Sequence, residues 1–149
     1  MSYSTAFAVD RTPQEAFDAI MNVRGWWSED IDGGTDAVGD EFSYRYRDTH
    51  RSRIRVTEVV PGRLVSWLVL DNYFAFIDGP DEWKDTTVEF EISASDAGTT
   101  EVRFTHVGLL PECECYDACS NAWGSLVNGS LRSLITTGTG QPLPRESVH

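Results

Sequence analysis

VEFEISASDAGTTEVRFTH, residues 88–106, decides the fold. Val88, Phe90 and Ile92 recur at every second position, and so do Val102 and Phe104, which is the period of two half-buried strands. Asp96-Ala97-Gly98 between them reads as a three-residue turn with Gly98 in the left-handed region, open to a residue without Cβ. That turn sets Ile92 opposite Val102, Phe90 opposite Phe104 and Val88 opposite His106. It also sets Glu91 opposite Arg103 on the outer face, a cross-strand pair worth a few tenths to ~1 kcal/mol. Pattern and charge agree on one register, so this is an antiparallel hairpin with His106 on its inward face.

The pattern extends in both directions. Upstream, Phe42, Tyr44 and Tyr46 share one strand face, and Ile54 and Val56 share another. A two-residue Pro61-Gly62 turn pairs Val60 with Arg63 and places Val56 opposite Trp67 and Ile54 opposite Val69. Near the start, Tyr3 to Val9 alternates as a strand. Thr12-Pro13-Gln14-Glu15 then carries an N-cap, a proline at the first helical position and a capping box. That helix presents Phe17, Ile20 and Met21 and ends near Gly25, with Trp26-Trp27 directly after it. Asp30 to Asp40 and the ring-bearing stretch Asp71 to Asp85 read as loops. Downstream, Tyr116, Cys119, Trp123, Val127, Leu131, Leu134 and Ile135 recur at helical spacing. They predict a helix from about Pro111 to Thr137, on the order of 35 Å long. Gly124 and Gly129 inside it each cost ~1 kcal/mol relative to Ala, which points to a close approach. The expected fold is α+β: a curved antiparallel meander sheet gripping a long C-terminal helix, with two short helices after the first strand. A single domain over residues 1–138 and a loosely held tail over 139–149 follow. Between a curved sheet and one helix there is room for a pocket.

Composition narrows the classes. The chain has 149 residues, 40% of them hydrophobic and 11% aromatic, enough for one core. Twenty-four Asp and Glu against twelve Lys and Arg give a charge of −12, which repels a phosphate backbone and argues against nucleic acid as a partner. The longest apolar stretch, Leu64 to Leu70, is too short to enter a membrane as a helix. No basic-then-apolar leader opens the sequence, so the expected compartment is the cytoplasm. Cys113, Cys115 and Cys119 lack the paired CxxC of a zinc site and read as reduced structural thiols, so neither metal nor cofactor is expected. Six of eleven arginines fall between Arg45 and Arg63, and in-phase pairing of the strands sets Arg45 and Arg47 against Arg55 and Arg53. Like charges face to face are destabilising. Surface acids, an acidic protein partner or a second copy of the chain would neutralise them.

The order of elements resembles the helix-grip, or SRPBCC, superfamily, which includes the START and birch-pollen-allergen-like proteins. Within it the chain resembles homologues of the C-terminal domain of the heat-shock-protein-90 ATPase activator. The residues that carry this are VDRTPQEAF (9–17), Trp26-Trp27, VVPGRLV (59–65), GLLPE (108–112), CSNAWG (119–124) and GSLRSLI (129–135). The resemblance implies the fold more strongly than any one activity, because the superfamily holds lipid carriers, polyketide cyclases, hormone receptors and stress-associated proteins.

The function expected first is binding of a small hydrophobic or aromatic molecule between sheet and terminal helix. Trp26, Trp27, Tyr44 and Trp67 would line the cavity together with Phe90, Phe104, Tyr116 and Trp123. Phe74, Phe76 and Trp83 would close over it from a loop. His106 and Tyr44 would orient the polar end of the ligand. The alternatives are an enzyme of cyclase, dehydratase or hydrolase type working in the same cavity, with no catalytic constellation legible, and an interaction module related to chaperone regulation or stress response. The arginine-rich face suits a homodimer or an acidic protein partner.

Overall fold

Every cross-strand pair read from residues 88–106 is present. β6 (Thr87–Ala94) and β7 (Thr100–Val107) run antiparallel with Ile92 opposite Val102, Phe90 opposite Phe104 and Val88 opposite His106. Gly98 has the expected positive φ, 81°. This computed structural model describes residues 2–46, 50–74, 83–95, 98–109 and 116–143.

Around that hairpin stands an open seven-stranded antiparallel sheet in the order β1-β7-β6-β5-β4-β3-β2. Its other strands are β1 (Ser2–Val9), β2 (Ile31–Gly33), β3 (Glu41–Tyr46), β4 (His50–Val60) and β5 (Leu64–Phe74). Between β1 and β2 lie α1 (Pro13–Met21) and the single turn α2 (Val23–Trp26). The capping box at the start of α1 is closed: the Glu15 N–H donates to Thr12 Oγ1, and the Thr12 N–H donates to the Glu15 carboxylate. The terminal helix is α3 (Tyr116–Gly124), a π-helical stretch (Ser125–Leu131) and α4 (Arg132–Thr137) in unbroken succession. This is the helix-grip α+β arrangement.

Three local readings differ from the structure. Part of the expected loop Asp30–Asp40 is strand β2, which pairs Ile31 with Tyr44 and buries Ile31. Its third residue, Gly33, has φ 114°, and a Cβ there would lie 2.3 Å from the Glu41 carbonyl oxygen, so only glycine lets the two strands meet. The turn after β4 holds three residues, and Val60 pairs with Leu64 instead of Arg63. A bulge at Thr57 cancels the one-residue error, so Val56 still faces Trp67 and Ile54 still faces Val69. Finally, β5 continues through Asp71–Phe74 where a loop was expected, because a second irregularity after Val69 turns Asn72 inward against Ser52.

Ser130, which helical spacing places on the same side as Trp123 and Val127, is buried, and its Oγ donates to the Trp26 carbonyl at 2.7 Å. Ser130 Oγ also accepts the Gln141 N–H, and Leu143 makes two main-chain bonds, to the Trp27 carbonyl and the Glu29 N–H. Residues 139–143 of the expected loose tail therefore run back along α2.

Candidate functional site

Nearly all the inward rings named from the sequence form one contiguous cluster on the concave face. α2 begins one residue after α1, and the Trp27 N–H closes its single turn on the Val23 carbonyl. That turn aims Trp26 and Trp27 at the sheet, and the Trp26 Nε1 proton is donated to the Ile20 carbonyl. The Trp27 ring lies 4.5 Å from Tyr44 and 5.9 Å from Trp67, near-parallel to both, and 5.1 Å from Trp123 of α3. Phe90 bridges Trp26, Trp67 and Phe104 by edge-to-face contacts. Phe104 then meets Trp123 at 4.7 Å. These separations are those of favourable aromatic pairs. Sheet and helix thus touch through rings, and Trp27 stands between them. One polar atom in this wall is unmatched: Trp67 is 1% exposed, and its Nε1 proton meets no acceptor among the described residues.

Toward the start of α3 the wall becomes polar. His106 takes the inward position expected of it, and both of its nitrogens are engaged. Trp123 Nε1 donates to Nδ1 at 3.1 Å, which leaves the proton of the neutral ring on Nε2, directed at Thr86 Oγ1 2.8 Å away. The Thr86 hydroxyl passes its own proton to the Trp83 carbonyl. Burial pushes the His106 pKa down to about 3, so the ring is neutral at ordinary pH. With Nδ1 occupied, His106 has no lone pair left to act as a base. Both ring nitrogens are thus engaged, with further polar neighbours close by.

Those neighbours were missed in the sequence. His50 opens β4, contacts Ser52 Oγ through Nε2 at 2.9 Å, and has its pKa pushed down to about 3 by burial. Its ring stands edge-on to Tyr44 and to Trp83, at 4.9 and 4.8 Å. Ser52 is the cross-strand partner of both Tyr44 and Asn72, so a buried polar row crosses β3, β4 and β5. Asn72 Oδ1 accepts the Trp83 N–H. Trp83, expected in a loop over the cavity, is instead 4% exposed, set between the two imidazoles and stacked on Trp123. The available signal was parity: His50 and Ser52 are in phase with Ile54 and Val56.

Tyr116, at the start of α3, is half-buried against the core. Phe74 is placed in β5 opposite His50, while its side chain, Phe76, Cys113 and Cys115 lie outside the described residues. Cys119 is buried, and no cluster of His, Cys, Asp and Glu fit to hold a metal occurs among the described residues. No helix among them is long and apolar enough to cross a membrane.

On the opposite, convex face, Arg45 pairs with Arg51, and Ser43 and Glu41 stand opposite Arg53 and Arg55. Arg47 lies outside the described residues. Glu41 binds both Arg53 and Arg55, each through two nitrogens on one carboxylate oxygen, and these bonds hold its pKa below the usual carboxylate value. Surface acid thus does part of the neutralising. Arg103 makes its ion pair with Glu101 of its own strand, at 3.5 Å, although Glu91 lies directly across.

Residues 11–136 match the protein family described as "Activator of Hsp90 ATPase homolog 1-like protein". Similar solved structures include the Aha1 dimer of Colwellia psychrerythraea, 21% identical, with a TM-score of 0.74 over 94% of this chain and 99% of that one. CalU16 of Micromonospora echinospora is 14% identical, with a TM-score of 0.64 over 94% and 76%. DynU16, from the dynemicin biosynthetic locus, is 15% identical, with a TM-score of 0.68 over 93% of this chain and 48% of its own. No curated protein matches.

Proposed function

Because the chain belongs to the Activator of Hsp90 ATPase homolog 1-like family, within the SRPBCC superfamily, we propose that it binds a flat aromatic or hydrophobic molecule between sheet and terminal helix. The observation that carries this is the Trp67 indole N–H, buried in a wall of rings with no acceptor among the described residues. An unmatched buried donor costs about 1–3 kcal/mol, which a guest bearing a carbonyl or phenolic oxygen would recover. The guest stacks on Trp67 and Tyr44, where the Trp27 ring now lies, so it enters by displacing that ring. The polar row of Tyr44, His50 and Ser52 orients its hydrophilic end. Burial of its apolar surface supplies the affinity, at roughly 25 cal/mol per Å².

Titration with a hydroxynaphthoquinone, followed by tryptophan fluorescence, tests this. Saturable quenching is expected, with an affinity about tenfold weaker in Trp67→Phe and stronger in Trp27→Ala. Absence of quenching in both wild type and Trp27→Ala, with no adduct retained in native mass spectrometry, would overturn the reading. The enzyme alternative is weaker, because the imidazole it relied on is occupied at both nitrogens.

A further inference from the structure

α2 is a single turn, too short to hold its shape alone, yet it carries Trp26 and Trp27 into the ring wall. Carbonyls at the end of a helix need partners from outside it. Here Ser130 Oγ of the terminal helix donates to the Trp26 carbonyl, and the Leu143 N–H donates to the Trp27 carbonyl at 2.9 Å. The Leu143 carbonyl in turn accepts the Glu29 N–H at 2.8 Å. The chain arrives there by reversing at Gly138, whose φ is 83°, and running back as Thr139-Gly140-Gln141-Pro142-Leu143. This strap is stitched down at every second residue. The Thr139 carbonyl accepts from Ser133 Oγ, the Gln141 N–H donates to Ser130 Oγ, and Leu143 makes its two bonds beside Trp27. Pro142, between two bonded residues, brings no N–H of its own and a fixed φ. Gly140 lies so close to α2 that a Cβ would strike the Gly25 carbonyl oxygen. Its backbone is not left-handed, so this contact alone calls for glycine.

We propose that the strap is a latch on Trp27 and so governs the opening of the concave face. This rests on the reading that a guest enters where the Trp27 ring now lies. That ring is 1% exposed and touches Trp26, Phe42, Tyr44, Trp67 and Trp123. Packed among those rings, it leaves when its main chain shifts with it, and the strap holds that main chain from the other side. Ser130 Oγ joins helix, turn and strap, because it donates to α2 and accepts from Gln141. With the strap down, the closed form is favoured. With the strap lifted, the Trp27 carbonyl and the Glu29 N–H turn to water, and the turn of α2 loosens. Thr139 and Gln141 are exposed, and Gly140, Pro142 and Leu143 are half-buried, so the latch releases without breaking the sheet. A guest binds only the open form, so its apparent affinity scales with the fraction of chains that are open.

Two variants act on the strap and leave the rings in place. Gly140→Ala forces the strap away from Gly25, and Leu143→Pro removes the N–H given to Trp27. Hydrogen exchange of the guest-free chain is read first. Amides of residues 23–29 should exchange at least about tenfold faster in both variants, with the 88–106 hairpin unchanged. Titration with the hydroxynaphthoquinone is read second. Affinity should rise about tenfold in each variant, and that gain should vanish in the Trp27→Ala background, where nothing is left to latch. Unchanged exchange over 23–29 overturns the latch, and so does exchange that quickens equally across the hairpin. An affinity that stays at the wild-type value, or a gain that survives Trp27→Ala in full, overturns it too. Faster exchange over 23–29 with no quinone bound to any chain upholds the latch and overturns the guest, so the two readings fail separately.

Discussion

The centre of the concave face and its end beside α3 are built from similar rings but held by different forces. At the centre, Trp26, Trp27, Trp67, Phe90 and Phe104 meet ring against ring, with the Trp67 Nε1 proton unmatched. At the end, Trp123 Nε1, His106 and the Thr86 hydroxyl form a directed chain of hydrogen bonds, each donating to the next, that ends on the Trp83 carbonyl. The centre depends on area and shape. The end depends on partners, and removal of one member strands the others in a medium where they find no water. The two regions should therefore fail differently.

The largest effect is expected where area is lost. Trp27→Ala removes a ring in contact with Trp26, Phe42, Tyr44, Trp67 and Trp123. It should destabilise by about 3–5 kcal/mol in urea unfolding. Part of that loss should return on addition of a flat aromatic guest, since an apolar void accepts one. A loss below about 1 kcal/mol would mean that the centre collapses freely, and that its packing is less specific than its geometry indicates.

His106→Ala comes next, at about 2–4 kcal/mol, because it leaves the Trp123 N–H and the Thr86 hydroxyl buried with a partner missing. His106→Gln, which can accept from one group and donate to the other, should recover part of this. His106→Leu, which fills space alone, should recover less. Equal behaviour of Gln and Leu would erase the distinction between the two regions.

Acid should discriminate further, since only the end contains imidazoles. Both His50 and His106 have folded pKa values of about 3, below the ordinary 6.5. The unfolded chain therefore binds their protons first. Their contribution to stability is complete above pH 6.5 and drains away as pH falls from 6.5 toward 3. The slope approaches about 1.4 kcal/mol per pH unit for each ring. Between pH 6.5 and 4.5, above the range of ordinary carboxylates, unfolding free energies of wild type and His50→Asn should diverge, with the variant less steep.

The sequence was most readable where one pattern answered one question. The 88–106 hairpin came out with every partner correct, because alternation, a turn glycine and a cross-strand charge pair pointed the same way. The capping box at Thr12 did too. The β4–β5 pairing succeeded by compensation, since the bulge at Thr57 offset a turn one residue longer than expected, and bulges leave no mark in a hydrophobic pattern. The polar end was harder. Ser52, Asn72 and Thr86 are small polar residues that look like surface until a second irregularity, after Val69, turns Asn72 toward Ser52. Trp83 looked like part of a lid because it falls in a loop that carries several rings. It is buried because Asn72 fixes its backbone and Trp123 receives its ring. Both contacts are long-range, and no local window contains them.

The smallest effect sharpens the comparison most. Trp67→Phe keeps a ring in the wall and deletes the one donor there that lacks an acceptor. Two costs then compete. The smaller ring gives up some contact with Trp27, Phe42 and Phe90, which destabilises. Loss of an unsatisfied buried N–H stabilises by about 1–3 kcal/mol. The net change in the ligand-free chain should lie within about 1 kcal/mol of zero, far below the several kcal/mol usual for cutting a buried tryptophan. Removing the donor from Trp123 by the same substitution should cost about 2 kcal/mol more, because its proton is accepted by His106 Nδ1. Thermal unfolding of the two variants side by side reads that difference directly. If Trp67→Phe proves as costly as Trp123→Phe, the Trp67 proton has an acceptor after all, and it is as well matched as the Trp123 proton.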